Sequence, residues 1–154
     1  MRAQAVGLVV VMTGFALAVM GAEPVIGTWK LDVAKSTYQP GPPPESQVRT
    51  YAVTPDGIKV TIVTVDAHGG TTMIEHPANF DGKDYPVTGS GGSYAISMIK
   101  LNDYQSESTL THASKTIGKA TRTVAQDGNT MTVTYKGIDR TGQEVDNVAV
   151  YVKE

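Results

Sequence analysis

The stretch GTWKLDVAKSTY, Gly27 to Tyr38, holds the only tryptophan of a 154-residue chain and follows directly on an apolar leader. Its first half, with Val25 and Ile26 before it, reads as a β-strand, VIGTWKLD. Aromatic and β-branched residues alternate there with polar ones, as on a pleated, half-buried surface. Everything C-terminal to it repeats the theme: short β-rich runs separated by Gly, Asp, Asn and Pro, with no helical period. The runs are QVRTYAVT, GIKVTIVTVD, TTMIEHPANF, SYAISMIKL, QSESTLTH, IGKATRTVAQ, NTMTVTYKG and EVDNVAVYVK, with YPVT at Tyr85 to Thr88 as a tenth strand if it counts.

Residues 1–22 carry one charge, Arg2, an apolar core from Val6 to Val19, and small residues at Gly21 and Ala22. This is the form of a secretory signal, with cleavage after Ala22 or Gly21. An uncleaved membrane anchor is the competing reading, disfavoured by Thr13, Gly14 and the missing basic flank. The expected organisation is a signal over 1–22 and one domain over 23–154, located in the periplasm or secreted, with no stable membrane insertion after cleavage.

Thirteen basic against fifteen acidic residues, without a basic cluster, argue against nucleic acid. The absence of cysteine excludes disulfides, thiolate metal sites and thiol nucleophiles. His68, His76 and His112 have no metal-site spacing, no G-x-S-x-G elbow is present, and Ser90-Gly91-Gly92-Ser93 lacks the helix and lysine of a phosphate loop. No cofactor, no metal and no catalysis are expected.

Turn residues recur at hairpin intervals: Pro55-Asp56-Gly57, His68-Gly69-Gly70, Asp81-Gly82, Asp127-Gly128-Asn129 and Thr141-Gly142. Sequential strands should pair, and Pro40 to Glu45, PGPPPE, should cross the surface outside the ladder. A meander of nine or ten strands cannot stay open and flat without two exposed edges. The expected fold is all-β, a single antiparallel up-and-down barrel of about 8–10 strands, its C-terminal run DNVAVYVKE pairing with the Trp29 strand. Arg49-Thr50, Ala52, Val60-Thr61, Asp66 and Gly69 are matched 73 positions later by Arg122-Thr123, Ala125, Val133-Thr134, Asp139 and Gly142. Duplication and convergence both explain this, and both make the segments equivalent hairpins.

Gly27-Thr28-Trp29, in the first strand of a small exported β-domain, resembles the G-x-W signature of the calycin superfamily, the lipocalin-like and fatty-acid-binding-protein-like barrels. Asn102-Asp103-Tyr104 is similar to the lipocalin T-D-Y turn. The resemblance implies a lipocalin-like barrel with Gly27 and Trp29 as a structural plug at one end. It also implies an arginine packed across the tryptophan, a role open to Arg122 or Arg140. Ending on a strand is closer to the fatty-acid-binding proteins, but the helical lid and the Arg-x-Tyr pair in the last strand are missing. The segment DGKDYPVTG, Asp81 to Gly89, resembles one in small secreted bacterial proteins and implies no activity.

Arg49 and Arg122 either point inward to hold an anion or lie on the solvent face or over an aromatic ring. Tyr51, Tyr94, Tyr135 and Tyr151 either line a pocket or pack a core. The candidate ligand-binding set is Arg49, Tyr51, Arg122 and Tyr135, and the candidate ligand is a small apolar or amphipathic molecule. The alternative is a filled barrel acting as a structural or interaction protein of the cell envelope. Asp81 to Pro86 is either a structural corner or a recognition loop at the barrel mouth.

Overall fold

The structure, a computed structural model, describes residues 23–154, so the segment read as an export signal lies outside the described residues. The strands are β1 (Gly27–Gln39), β2 (Ser46–Thr54), β3 (Gly57–Val65), β4 (Thr71–Pro77), β5 (Tyr85–Pro86), β6 (Tyr94–Asn102), β7 (Gln105–His112), β8 (Lys115–Val124), β9 (Thr130–Ile138) and β10 (Glu144–Lys153). They form one antiparallel sheet in the order β4-β3-β2-β1-β10-β9-β8-β7-β6-β5. The terminal strands pair as expected, Trp29 facing Lys153 and Leu31 facing Tyr151.

The two ends of the sheet also meet. Glu75 of β4 and Thr88, just beyond β5, exchange both backbone hydrogen bonds, at 3.1 and 2.9 Å. The all-β up-and-down barrel is therefore nearly closed, with its seam at the two-residue β5, so that little strand edge is left to template a foreign strand.

Side-chain alternation decides what each strand shows the lumen. Ile58, Val60 and Ile62 of β3 and Met131, Val133 and Tyr135 of β9 face inward, with the threonines and lysines between them outward. β1 runs past the expected VIGTWKLD to Gln39 because a bulge between Asp32 and Thr37 absorbs a shift in register. Ser36 repairs the ladder there: its hydroxyl donates to Asp32 O at 2.7 Å and accepts from Val150 N at 2.9 Å. Beyond the bulge Tyr38 points into the lumen.

One barrel end is sealed. Trp29, Met131 and Tyr151 are 0% exposed, with Val25, Val60 and Val124 packed around them. The indole Nε1 donates to Val25 O at 2.8 Å, so the turn before β1 is fastened beneath the barrel. Trp29 is a plug, and the cation across its ring is Lys153, Nζ 5.2 Å from the ring centroid. This corrects the assignment of that role to Arg122 or Arg140, which stack on other rings. Gly27 explains the choice: a Cβ there would meet Lys153 Cε at 2.7 Å, so the glycine leaves the space through which the lysine stem passes.

The repeated segments are equivalent hairpins. Arg49 pairs with Ile62 across β2–β3 and Arg122 with Val133 across β8–β9. Asp66 Oδ1 accepts from His68 N and Gly70 N, and Asp139 Oδ1 from Thr141 N and Gln143 N, the same offsets in both turns.

β8 and β9 approach closely where Gly118 faces Gly137. A Cβ on Gly137 would lie 2.2 Å from Ile117 O and 2.5 Å from Gly118 Cα, and only a backbone shift relieves that. Gly137→Ala is expected to lower the unfolding free energy by about 1–3 kcal/mol, read as a lower urea midpoint with unchanged slope.

Candidate functional site

Above the plug the lumen opens into a cavity of about 360 Å³, with its mouth at the barrel end opposite Trp29. Much of its wall is aliphatic: Ile62, Ile74, Ile96, Met98, Leu110 and Val133. Into this surface β2, β4, β8 and β10 insert polar side chains. Because Gln47, Arg49 and Tyr51 are two apart on β2, they share one inward face, and Arg122 shares the inward face of β8 with Ala120 and Val124.

The two arginines come from opposite walls, since β1, β10 and β9 separate β2 from β8. Arg49 lies over Tyr151 with Cζ 4.9 Å from the ring centroid, and its Nε donates to Gln47 Oε1 at 3.0 Å. Tyr151 donates its hydroxyl to the same oxygen. Burial works against the Arg49 charge, but Tyr151 and Tyr51 outweigh it and hold its pKa above the ordinary value. Arg122 reaches across the lumen to Tyr51 and Phe80, 5.1 and 5.5 Å from their centroids. It is 8% exposed, and its Nε and Nη1 are buried without an acceptor, as is Ser106 Oγ on the adjoining strand.

Among the described residues no carboxylate pairs with either guanidinium; the four ion pairs, Lys35–Asp32, Lys59–Glu75, Lys100–Glu23 and Lys136–Asp146, all use lysines. Residues 1–22 contain no Asp or Glu. The acidic residue in the cavity lining, Asp139, sits at the mouth with Oδ1 engaged by its own turn. Two positive charges therefore enter a largely apolar lumen without an internal counter-ion, an arrangement that costs stability.

The neighbouring groups respond. Burial alone would raise the Tyr51 pKa, but Arg49 and then Arg122 outweigh it and bring it below the ordinary value. Tyr38 is pushed up to about 12 by burial and by Tyr151, with Arg49 opposing them. Burial holds His76 below the usual histidine range despite its hydrogen bond to Pro77 O, and both guanidiniums add to this, so it enters the site neutral. An alkaline ultraviolet titration is expected to show one tyrosine ionising below the ordinary value near pH 10, lost in Tyr51→Phe, and another ionising near pH 12, lost in Tyr38→Phe.

All four candidate residues, Arg49, Tyr51, Arg122 and Tyr135, line this one cavity. The first three form its polar group near the plug. Tyr135 stands at the mouth, its ring over Gly118 and its hydroxyl donating to Ile138 O at 2.9 Å. Tyr94 shares the mouth, stacked on His112 at 4.4 Å with Arg140 over its other neighbourhood at 5.6 Å. Sequence reasoning missed Gln47, His76 and Tyr38; of these Gln47 was legible as the residue two before Arg49 on the same face.

Asp81 to Pro86 is not at the mouth. Asp81 bridges to Ile99 and Gly82 N donates to Met98 O at 2.9 Å, near the plugged end of β6, and Tyr85 donates its hydroxyl to the Asp81 carboxylate. It is a structural corner that straps the seam. His68 lies in the Asp66 turn, and among the described residues no three His, Cys, Asp or Glu side chains converge on a point. No protein-family model matches the chain, and no curated protein matches it.

Proposed function

We propose that the protein is an exported, non-catalytic barrel that binds a small amphipathic molecule non-covalently. The apolar part lies against Ile62, Ile74, Ile96 and Leu110, and an anionic end lies at Arg49 and Arg122. The observation that carries this is the pair of inward guanidiniums without a carboxylate partner. The cavity of about 360 Å³ also supports it, being within the range of about 300–1,000 Å³ typical of ligand pockets. At roughly 30 Å³ per water-sized group it takes about a dozen such groups, the size of a head group with a medium-length chain.

Kinship with calycin barrels belongs to the same proposal. The up-and-down topology, the buried Trp29 beside Gly27 and a C-terminal-strand cation across the indole support it, with Lys153 where that superfamily uses arginine. Location in the periplasm or secretion rests on the signal-like segment 1–22.

The test is native mass spectrometry of protein recovered from its own periplasm, together with calorimetric titration with octanoate and octanol. A co-purifying small mass and saturable one-to-one binding are expected. Bare protein, with no binding of any medium-chain amphiphile, would leave the filled-barrel interaction protein as the better account.

A further inference from the structure

The lumen holds two permanent positive charges, and a monoanionic head group would neutralise only one of them. Arginine does not shed its proton in such a site. A second, uncompensated guanidinium in a low-dielectric space is the costly case for buried charge. Both guanidiniums lie close enough to Tyr51 to act on the same hydroxyl, so they are neighbours rather than separate sites.

The donors tell the same story in geometry. Arg122 Nε, Arg122 Nη1 and Ser106 Oγ are buried with no partner, and Ser106 and Arg122 are directly opposed on β7 and β8. Arg49 has Nε committed to Gln47, and its guanidinium adjoins the Tyr51 and Tyr151 hydroxyls, so a ligand oxygen would share it with those two groups. A planar carboxylate suits the fork of one guanidinium. Donors converging from two opposed walls suit a tetrahedral group with three terminal oxygens, as on a phosphate monoester, whose charge is close to −2 above its second pKa of about 6.

Resting on the reading of the barrel as a binder of amphipathic anions, we infer that the head group held by Arg49 and Arg122 is a dianionic tetrahedral oxyanion of the phosphate-monoester or phosphonate class, not a monocarboxylate. The aliphatic wall above it takes the organic part of the ester.

Calorimetric titration of the unmodified protein at pH 8 with octyl phosphate, octyl methyl phosphate, octanoate, octanol and inorganic phosphate tests this. Octyl phosphate is expected to bind at least about tenfold more tightly than octanoate, the worth of one added charge-assisted hydrogen bond. The singly charged octyl methyl phosphate should fall between them, and inorganic phosphate should bind more weakly than octyl phosphate. Arg122→Gln should bring octyl phosphate and octanoate near parity, with circular dichroism checking that the barrel persists. Octanoate equal to or tighter than octyl phosphate overturns the head-group assignment while leaving the amphiphile reading intact. Inorganic phosphate as tight as octyl phosphate upholds the oxyanion and overturns the amphiphile. If none of the five binds, both fall.

Discussion

Trp29→Ala is expected to lower the unfolding free energy by about 3–5 kcal/mol, the range for emptying an aromatic site in a core that cannot collapse around it. Little collapse is available here. Trp29 is 0% exposed, and Met131, Tyr151 and Val60 around it are fixed by strands on several sides of a nearly closed barrel. The substitution also frees Val25 O from its 2.8 Å bond, so the turn ahead of β1 loses its fastening. Against a domain stability of about 5–15 kcal/mol this is a large fraction. Trp29→Phe separates the two contributions: it keeps most of the volume and loses the donor, and a cost of about 1–2 kcal/mol is expected. Urea unfolding followed by far-ultraviolet circular dichroism reads both. A loss under about 1 kcal/mol for the alanine variant would mean that Trp29 does not plug the barrel.

The barrel was legible in the sequence because its strands are half-buried. On β3 and β9 the alternation of Ile58, Val60, Ile62 and of Met131, Val133, Tyr135 with threonine and lysine gives both the strand and its inner face. On β2 the pattern is inverted. Val48 and Ala52 lie on the face that turns outward, while Gln47, Arg49 and Tyr51 turn inward, so hydropathy alone gives no correct answer. Such local inconsistency is expected where function overrides packing. The repeat offered a way through it: the hairpin equivalence of Arg49 and Arg122, with Arg122 paired to the inward Val133, places both arginines in the lumen. Lys153 was not legible at Trp29, because its position depends on β1–β10 register and on the space left by Gly27. Nor was the Asp81 corner, whose place depends on pairing with the far end of β6.

Arg122→Met is expected to do two opposite things: remove the preference for a dianionic over a singly charged ligand and raise the unfolding free energy of the ligand-free protein by about 1–2 kcal/mol. The sign follows from what the guanidinium has and lacks. It has two aromatic faces, Tyr51 and Phe80, and losing cation–π contact costs about 0.5–2 kcal/mol. It lacks a counter-ion and acceptors for Nε and Nη1, and each orphaned buried donor costs about 1–3 kcal/mol, more when charged. Methionine keeps the stem and some of the ring contact, so removal of the uncompensated charge dominates, as when buried charge is replaced by apolar side chains of similar volume. Arg49→Met should not share the benefit. Its Nε satisfies Gln47 Oε1 in a network with Tyr151, and breaking that strands polar groups the charge had paired, so a neutral or lower stability is expected. Urea midpoints of the two variants, measured without ligand, decide the matter. A destabilised Arg122→Met protein would make Arg122 a post held between two rings, with its charge incidental. A stabilised one that no longer distinguishes octyl phosphate from octanoate would mark a residue kept for binding at the expense of the fold.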